Sequence, residues 1–270
     1  MLCTSLRHDG EEYVARPRPL AAFRAGAATA IPLLHPWANR LSRWGYRVEG
    51  LGVSLEGLSL PVDTNGLPIH GNLLAVPFDV VRYTEQRIVA VLDYGTHPEK
   101  LRAFPFPHRV TVDATVSTTA GLRVMTTVEP TTELAVPVSF GWHPYVRLPA
   151  PRKSWILRWP ACEHVEVDDS VIPTGVRTPQ PKQVEPIGAR TFDDLYALGP
   201  HRQFSIGSEQ HSLTFRFDSG YPFAQLFVPP QRQHVAIEPM TAEIDALNRG
   251  STPIVGANEA FRATFSLTVE

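Results

Sequence analysis

Cysteine is nearly absent. Only Cys3 and Cys162 occur in 270 residues, and neither sits in a C-x-x-C or metal-ligand spacing. That excludes a disulfide framework, although not a single bridge, and two reduced thiols fit an intracellular chain. Charge of one sign is also lacking. Charged residues make up 19% and the formal net charge is −2, so no long-range field favours nucleic acid or an anionic membrane. Apolar runs are short: Leu73–Phe78 is far below the ~20 residues that cross a bilayer. Charges arrive by Arg7, before any apolar leader core could form, which predicts a soluble, cytoplasmic protein without a secretory leader. There is no Gly-rich phosphate loop, nucleophile elbow or dinucleotide fingerprint. His201, His211 and His234 are scattered without metal spacing. No cofactor, metal, nucleic acid or membrane partner is therefore expected.

What the chain does contain is proline, 26 of them, and period-two alternation. Proline forbids long helices and suits short strands joined by loops. Alternation places successive side chains on opposite faces of a strand. Val110, Val112, Ala114 and Val116 alternate with Thr111, Asp113, Thr115 and Ser117. After Thr118-Thr-Ala-Gly121 the pattern resumes at Leu122, Val124, Thr126 and Val128, which reads as a hairpin. The chain closes on Phe261, Ala263, Phe265, Leu267 and Val269, facing away from Arg262, Thr264, Ser266 and Thr268. Ile88–Tyr94, Leu134–Phe140, Leu213–Phe217 and Val235–Ile237 are further strand candidates. Asp193–Leu198 is the one segment with a helical look, and Pro173–Pro186 reads as an internal loop. With no linker or repeat, these signals predict an all-β fold, a large antiparallel β-sandwich forming one domain over 1–270.

Four segments carry polar or ionisable residues inside strand-like surroundings. Phe140-Gly-Trp-His-Pro-Tyr145 places His143 at the end of a candidate strand between two aromatics. Histidine is the side chain best suited to proton transfer near neutrality; a structural histidine beside the Trp/Tyr cluster is the alternative. Val235-Ala-Ile-Glu238-Pro239 puts a carboxylate at another strand end, where partial desolvation would raise its pKa and strengthen it as a base. An ion-paired or capping glutamate is the plainer reading. His70, before Gly71, and Asn39-Arg40 complete the set; arginine and asparagine present donors suited to hydroxyl groups, but most arginines are surface charges.

Taken in order, the segments resemble the aldose 1-epimerase (galactose mutarotase-like) family. "IPLLHPWANRL" (31–41) resembles its Pro-x-x-Asn-Arg segment and "IHG" (69–71) its His-Gly element. "FGWHPYVRLP" (140–149) is similar to its His-Pro-Tyr motif, "TFDDLYAL" (191–198) to its aspartate segment, and "AIEPMTAEIDALN" (236–248) to its Glu-Pro-x-Thr segment. The similarity spans residues 30 to 269, and His-Pro-Tyr and Ile-Glu-Pro-Met-Thr are its specific parts. The resemblance implies a β-sandwich with a sugar cleft on one face, Glu238 and His143 as the catalytic pair, and Asn39, Arg40, His70 and Asp193 around the sugar. Gln225 matches a further substrate-contacting glutamine loosely. The chain departs from the family in two ways: fewer strand residues than usual are expected before the stretch beginning here near Ser5, with a start assigned too late or a missing edge as the alternatives, and Val146 stands where many relatives carry a second aromatic.

The chemistry suits the residue types. Interconverting the α and β anomers of a free hexose needs a base for the C1 hydroxyl and an acid for the ring oxygen. The open aldehyde then turns about C1–C2 and recloses. A hexose 6-phosphate 1-epimerase is the runner-up; it calls for extra cations at the rim, for which Arg43, Arg82 and Arg147 are candidates. A non-catalytic carbohydrate-binding or sensor domain is the third reading, but it needs no Glu238–His143 pair. The expected partner is a small sugar, with the chain a monomer or homodimer.

Overall fold

The computed structural model describes residues 1–270. Alternation produces two nine-stranded antiparallel sheets. In the second sheet, His108–Ser117 and Gly121–Pro130 form the expected hairpin, Val128 opposite Val110 and Val124 opposite Ala114. The closing strand Phe261–Val269 lies along its other side, with Phe265 opposite Val124 and Leu267 opposite Leu122. The inward rows of both sheets meet in one cluster of 49 buried residues, including Val110, Val124, Phe265, Trp142, Leu226 and Ile237. Burying such rows from water is the main favourable term in holding the sheets face to face. No helix is longer than five residues, and none is long and apolar enough to cross a membrane.

The first sheet runs in the order Leu2–Cys3, Ile31–Leu34, Gly141–Trp142, Val235–Met240, Phe223–Val228, Phe192–Leu198, Cys162–Val167 and Pro173–Gln180, and Tyr145–Val146 also pairs with Val235–Met240. Because the side-chain period is two, one row of each strand enters the core and the other faces outward. Along Val235–Met240, Val235 and Ile237 go inward. Ala236 and Met240 pack instead in two smaller clusters on the outer face, and Glu238, at the position between them, shares that face. These outer clusters leave a gap between them, and the gap is the cleft described below.

Three local expectations are corrected. Asp193–Leu198 belongs to the strand Phe192–Leu198, not a helix, because it is hydrogen-bonded between Cys162–Val167 and Phe223–Val228. Pro173–Pro186 is not a loop but holds the strands Pro173–Gln180 and Gln183–Pro186. Both lie at sheet edges, where a missing proline N–H costs no ladder bond. Of Leu134–Phe140 only Val136–Pro137 is strand.

Two contacts behind the cleft fix the segments that line it. The Nε2 atoms of His35 and His108 lie 2.6 Å apart, and His108 Nδ1 lies 2.6 Å from the Phe106 carbonyl. His108 Nδ1–H must donate to that carbonyl, so His108 Nε2 accepts and His35 Nε2–H donates. This ties the turn after Ile31–Leu34 to the second sheet. Gly71 is the other. The His35 carbonyl accepts from Asn72 and Leu73 at 3.0 and 3.1 Å, and Gly71, at φ +67°, runs so close beneath that a Cβ would lie 2.2 Å from the carbonyl oxygen. Gly71→Ala should therefore cost roughly 2–4 kcal/mol in urea unfolding, from left-handed backbone and steric overlap together. An unchanged midpoint would show that the close approach is not rigid.

Candidate active site

Adjacent strands bring the distant sequence segments together. Glu238 sits inside the strand Val235–Met240, not at its end, and Gln225 stands opposite it. Leu195 is opposite Gln225 and Asp193 opposite Phe227, so Asp193 lies diagonally from Gln225 on the same face. Gln225 Nε2 crosses that diagonal to donate to Asp193 Oδ1 at 2.6 Å. On the other side of Glu238, Tyr145 stands opposite Ala236. His143 falls between Gly141–Trp142 and Tyr145–Val146, where its amide donates to Pro32 O. The aromatics flanking it divide the work: Trp142 turns inward, donating to Thr126 Oγ1 at 3.0 Å, whereas Tyr145 stacks on the His143 ring, 4.0 Å between centroids.

His143 Nε2 lies 3.0 Å from Glu238 Oε1, with the side chains 6% and 2% exposed. Burial dominates both titrations. It pushes Glu238 well above the usual carboxylate range, with the charge of Asp193 adding to it and Arg40 opposing. It pushes His143 well below 6.5, with His70 and Arg18 adding. An isolated charge is costly in such a place, and one proton shared between the two members avoids it. Glu238 Oε2, His143 Nδ1 and Gln225 Oε1 are buried without a partner, where polar groups are normally satisfied.

The opposite wall comes from two turns. Asn39 and His70 both adopt left-handed backbone, at φ 58° and 63°. His70 N donates to Asn39 O at 3.0 Å, and Asn39 N donates to His70 Nδ1 at 3.3 Å. His70 Nδ1 is therefore an acceptor, and its one proton resides on Nε2, a donor for a ligand. Burial and Arg40 lower its pKa to about 3, so the ring stays neutral. Arg40 is clamped: Nη1 donates to Asn39 Oδ1 at 2.9 Å, Nε to Asp63 Oδ2 at 2.6 Å, and Nη2 lies 3.7 Å from Asp193 Oδ2.

All six residues expected at the site, Asn39, Arg40, His70, His143, Asp193 and Glu238, line one cleft of about 550 Å³. The Asp193 side chain is 40% exposed there, so the cleft opens to solvent. Asp63, Arg18 and Phe227 also line it and were not singled out in the sequence. Asp63 Oδ1 accepts from the amides of Asn65 and Leu67. Burial raises its pKa, but those amides and Arg40 outweigh burial and hold it low. In sequence, Asp63-Thr-Asn-Gly66 reads only as a turn, which conceals its second oxygen on Arg40. Arg43, Arg82 and Arg147 are elsewhere. Arg43 donates to Asn248, Arg147 to Glu12 O, and Arg82 is on the edge strand Asp79–Thr84 of the second sheet. No three His, Cys, Asp or Glu side chains gather in metal-binding geometry.

The sequence pattern described as aldose 1-epimerase matches residues 3–268. No curated protein matches the chain. Among solved structures, a galactose mutarotase-like protein from Clostridium acetobutylicum is similar over 96% of this chain and 86% of that one, at 17% identity and a TM-score of 0.84. An aldose epimerase homologue from C. elegans is similar over 99% and 90%, at 16% identity and a TM-score of 0.81. A galactose 1-epimerase from Lactobacillus acidophilus is similar over 100% and 88%, at 14% identity and a TM-score of 0.77. At these identities the likeness is one of fold.

Proposed function

The chain belongs to the aldose 1-epimerase family, and from that premise we propose that it interconverts the α and β anomers of an aldohexopyranose, with Glu238 and His143 as the acid/base pair. The observation that carries this reading is the 3.0 Å contact between two buried groups of opposite type in an open cleft.

Ring opening runs from the ionised tautomer of the pair. The Glu238 carboxylate takes the proton of the C1 hydroxyl, and the His143 imidazolium gives its proton to the ring oxygen as the C1–O5 bond breaks. The pair is then a carboxylic acid and a neutral imidazole, still holding one proton, and the open aldehyde turns about C1–C2. Closure reverses each transfer: the acid returns a proton to O1 and the imidazole takes one from O5. The proton count of the pair never changes, so no net charge is created in a buried site. Each group of this kind is worth about 10²–10⁴ in rate. On entry the sugar replaces the direct His143–Glu238 contact with one oxygen on each group, roughly 3 Å from either. His70 Nε2–H, Arg40 and Asp193 hold ring hydroxyls and so place C1.

Polarimetry of freshly dissolved α-D-glucose and α-D-galactose tests the activity: the approach to equilibrium rotation should quicken in proportion to protein added, and an unchanged rate with both sugars and with their C6-acidic derivatives sinks the reading. A binding-only protein would bind either sugar without changing that rate. Arg40→Ala should raise KM about tenfold or more, by loss of a charged hydrogen bond to a hydroxyl, with a smaller fall in kcat through poorer positioning. Unchanged kinetics would place Arg40 outside the sugar's reach.

A further inference from the structure

The two ends of the cleft differ in charge. At one end Arg40 is matched by two carboxylates, Asp63 and Asp193. Arg18, which lines the same cleft, has no part in any ion pair. Its backbone is pinned from both sides by Thr29, which bonds its N–H and its carbonyl. Nη1 donates to the Ala28 carbonyl at 3.1 Å, and the guanidinium also hydrogen-bonds the Tyr145 hydroxyl. The remainder of the exposed head group is unmatched.

The surroundings add positive charge, and the carboxylates that act there are Glu238, the proposed base itself, on Tyr145 and Asp63, already paired with Arg40, on His70. Arg18 acts on His143, His70, Tyr145 and His234, whereas the charges acting on Glu238 are those of Asp193 and Arg40. Its hydrogen bond to the hydroxyl of Tyr145, whose ring stacks on His143, places Arg18 at the His143 end. The Tyr145 ring, stacked on His143, meets the edge of His234 at 5.6 Å. Beside His234 stand Arg232, in no ion pair, and Arg152, which donates to the backbone carbonyls of Gly188, Pro229, Arg190 and Arg232 and to no carboxylate. A cleft built only for neutral hydroxyls has no use for this imbalance, because an unmatched cation earns its affinity from an anion.

Covalent connectivity says which part of the sugar arrives there. If His143 protonates the ring oxygen, the next ring atom is C5, and the substituent on C5 leaves the ring on the His143 side, away from Glu238 at C1. We propose that Arg18 marks an anion subsite and that the preferred substrate is an aldohexopyranose bearing an anionic group at C6, either the carboxylate of a hexuronate or a phosphate monoester. This rests on the anomer-interconverting role assigned above. Arg18 supplies the rim cation that Arg43, Arg82 and Arg147 do not.

The test follows anomeric proton exchange by NMR for D-glucose, D-glucuronate and D-glucose 6-phosphate, corrected for the uncatalysed rate of each. The expected result is a kcat/KM for at least one anionic sugar about 10–100-fold above that of D-glucose. Preference for the uronate identifies a carboxylate as the natural anion, and preference for the ester a phosphate. Arg18→Gln should shrink the ratio about tenfold or more, with the melting temperature recorded as a check on folding. In the wild type, raising sodium chloride to about 0.5 M should raise KM for the anionic sugar far more than for D-glucose. Equal kcat/KM for all three sugars, or a preference that neither salt nor Arg18→Gln reduces, overturns the subsite while leaving the epimerase intact. No acceleration of any sugar overturns the epimerase reading itself, and the subsite with it.

Discussion

Glu238→Gln is expected to lower kcat for anomer interconversion by about 10²–10⁴-fold while the protein folds and, at alkaline pH, melts above the wild type. The amide keeps the shape of the carboxyl group and can still donate toward His143, but it cannot accept the C1 hydroxyl proton. The stability effect follows from burial. Glu238 is held well above the usual carboxylate range, burial being the largest cause and Asp193 the next. A group whose folded pKa is raised contributes stability that is present below the unfolded value and lost as pH rises through the folded one. Above that point the wild type carries a buried carboxylate that glutamine does not. The melting-temperature advantage of the variant should thus widen as pH rises. Wild-type rates in Glu238→Gln would remove the residue from the mechanism, and an advantage that shrinks with rising pH would contradict the burial argument.

His143→Asn carries the second large effect. The variant should lose about 10²–10⁴ in kcat with KM changed much less, because the imidazole transfers a proton while His70, Arg40 and Asp193 hold the sugar. His143 is held well below 6.5, first by burial and then by His70. Its folded pKa is depressed, so its share of stability is present above about 6.5 and lost as pH falls. Removing it should make the protein less sensitive to acid below that value. The acid limb of the wild-type activity profile should also change, although the pair titrates as a unit and its limbs belong to both members. A merely structural histidine predicts the opposite pattern: a large fall in melting temperature at neutral pH with kcat preserved in the folded fraction.

The sequence makes the sheets legible where packing and local pattern agree. Val110–Val116, Leu122–Val128 and Phe261–Val269 alternate because one row faces a core and the other does not, and the register of all three follows. Pattern fails where tertiary pairing overrides local preference. The Asp-Asp-Leu-Tyr-Ala-Leu run has leucine and alanine, good helix formers, yet two flanking strands hold it extended. Proline made 173–186 look like loop because nothing local distinguishes an edge strand, which tolerates it, from a turn.

The site divides in the same manner. His143 and Glu238 stand out as ionisable residues in apolar strand sequence, and the fold brings them to 3.0 Å. That Glu238 lies within a strand, its face of the sheet left open between two small apolar clusters, is a property of the whole sheet. Asp63 and Arg18 were illegible for another reason. One is disguised as a turn residue, and the other, in Arg16-Pro-Arg-Pro19, looks like ordinary surface charge. Each acquires meaning only from what stands across the cleft.

The central claim is that Glu238 and His143 move protons on O1 and O5 and leave every carbon–hydrogen bond intact. Exchange NMR of D-glucose at anomeric equilibrium in D₂O tests it most directly. With protein present, cross-peaks between the α and β H1 signals should grow, scale with protein concentration and vanish with Glu238→Gln, while no deuterium enters C1 or C2. Deuterium appearing at C2 in step with the cross-peaks would mean that Glu238 removes a carbon-bound proton, and the acid/base ring-opening account would be wrong.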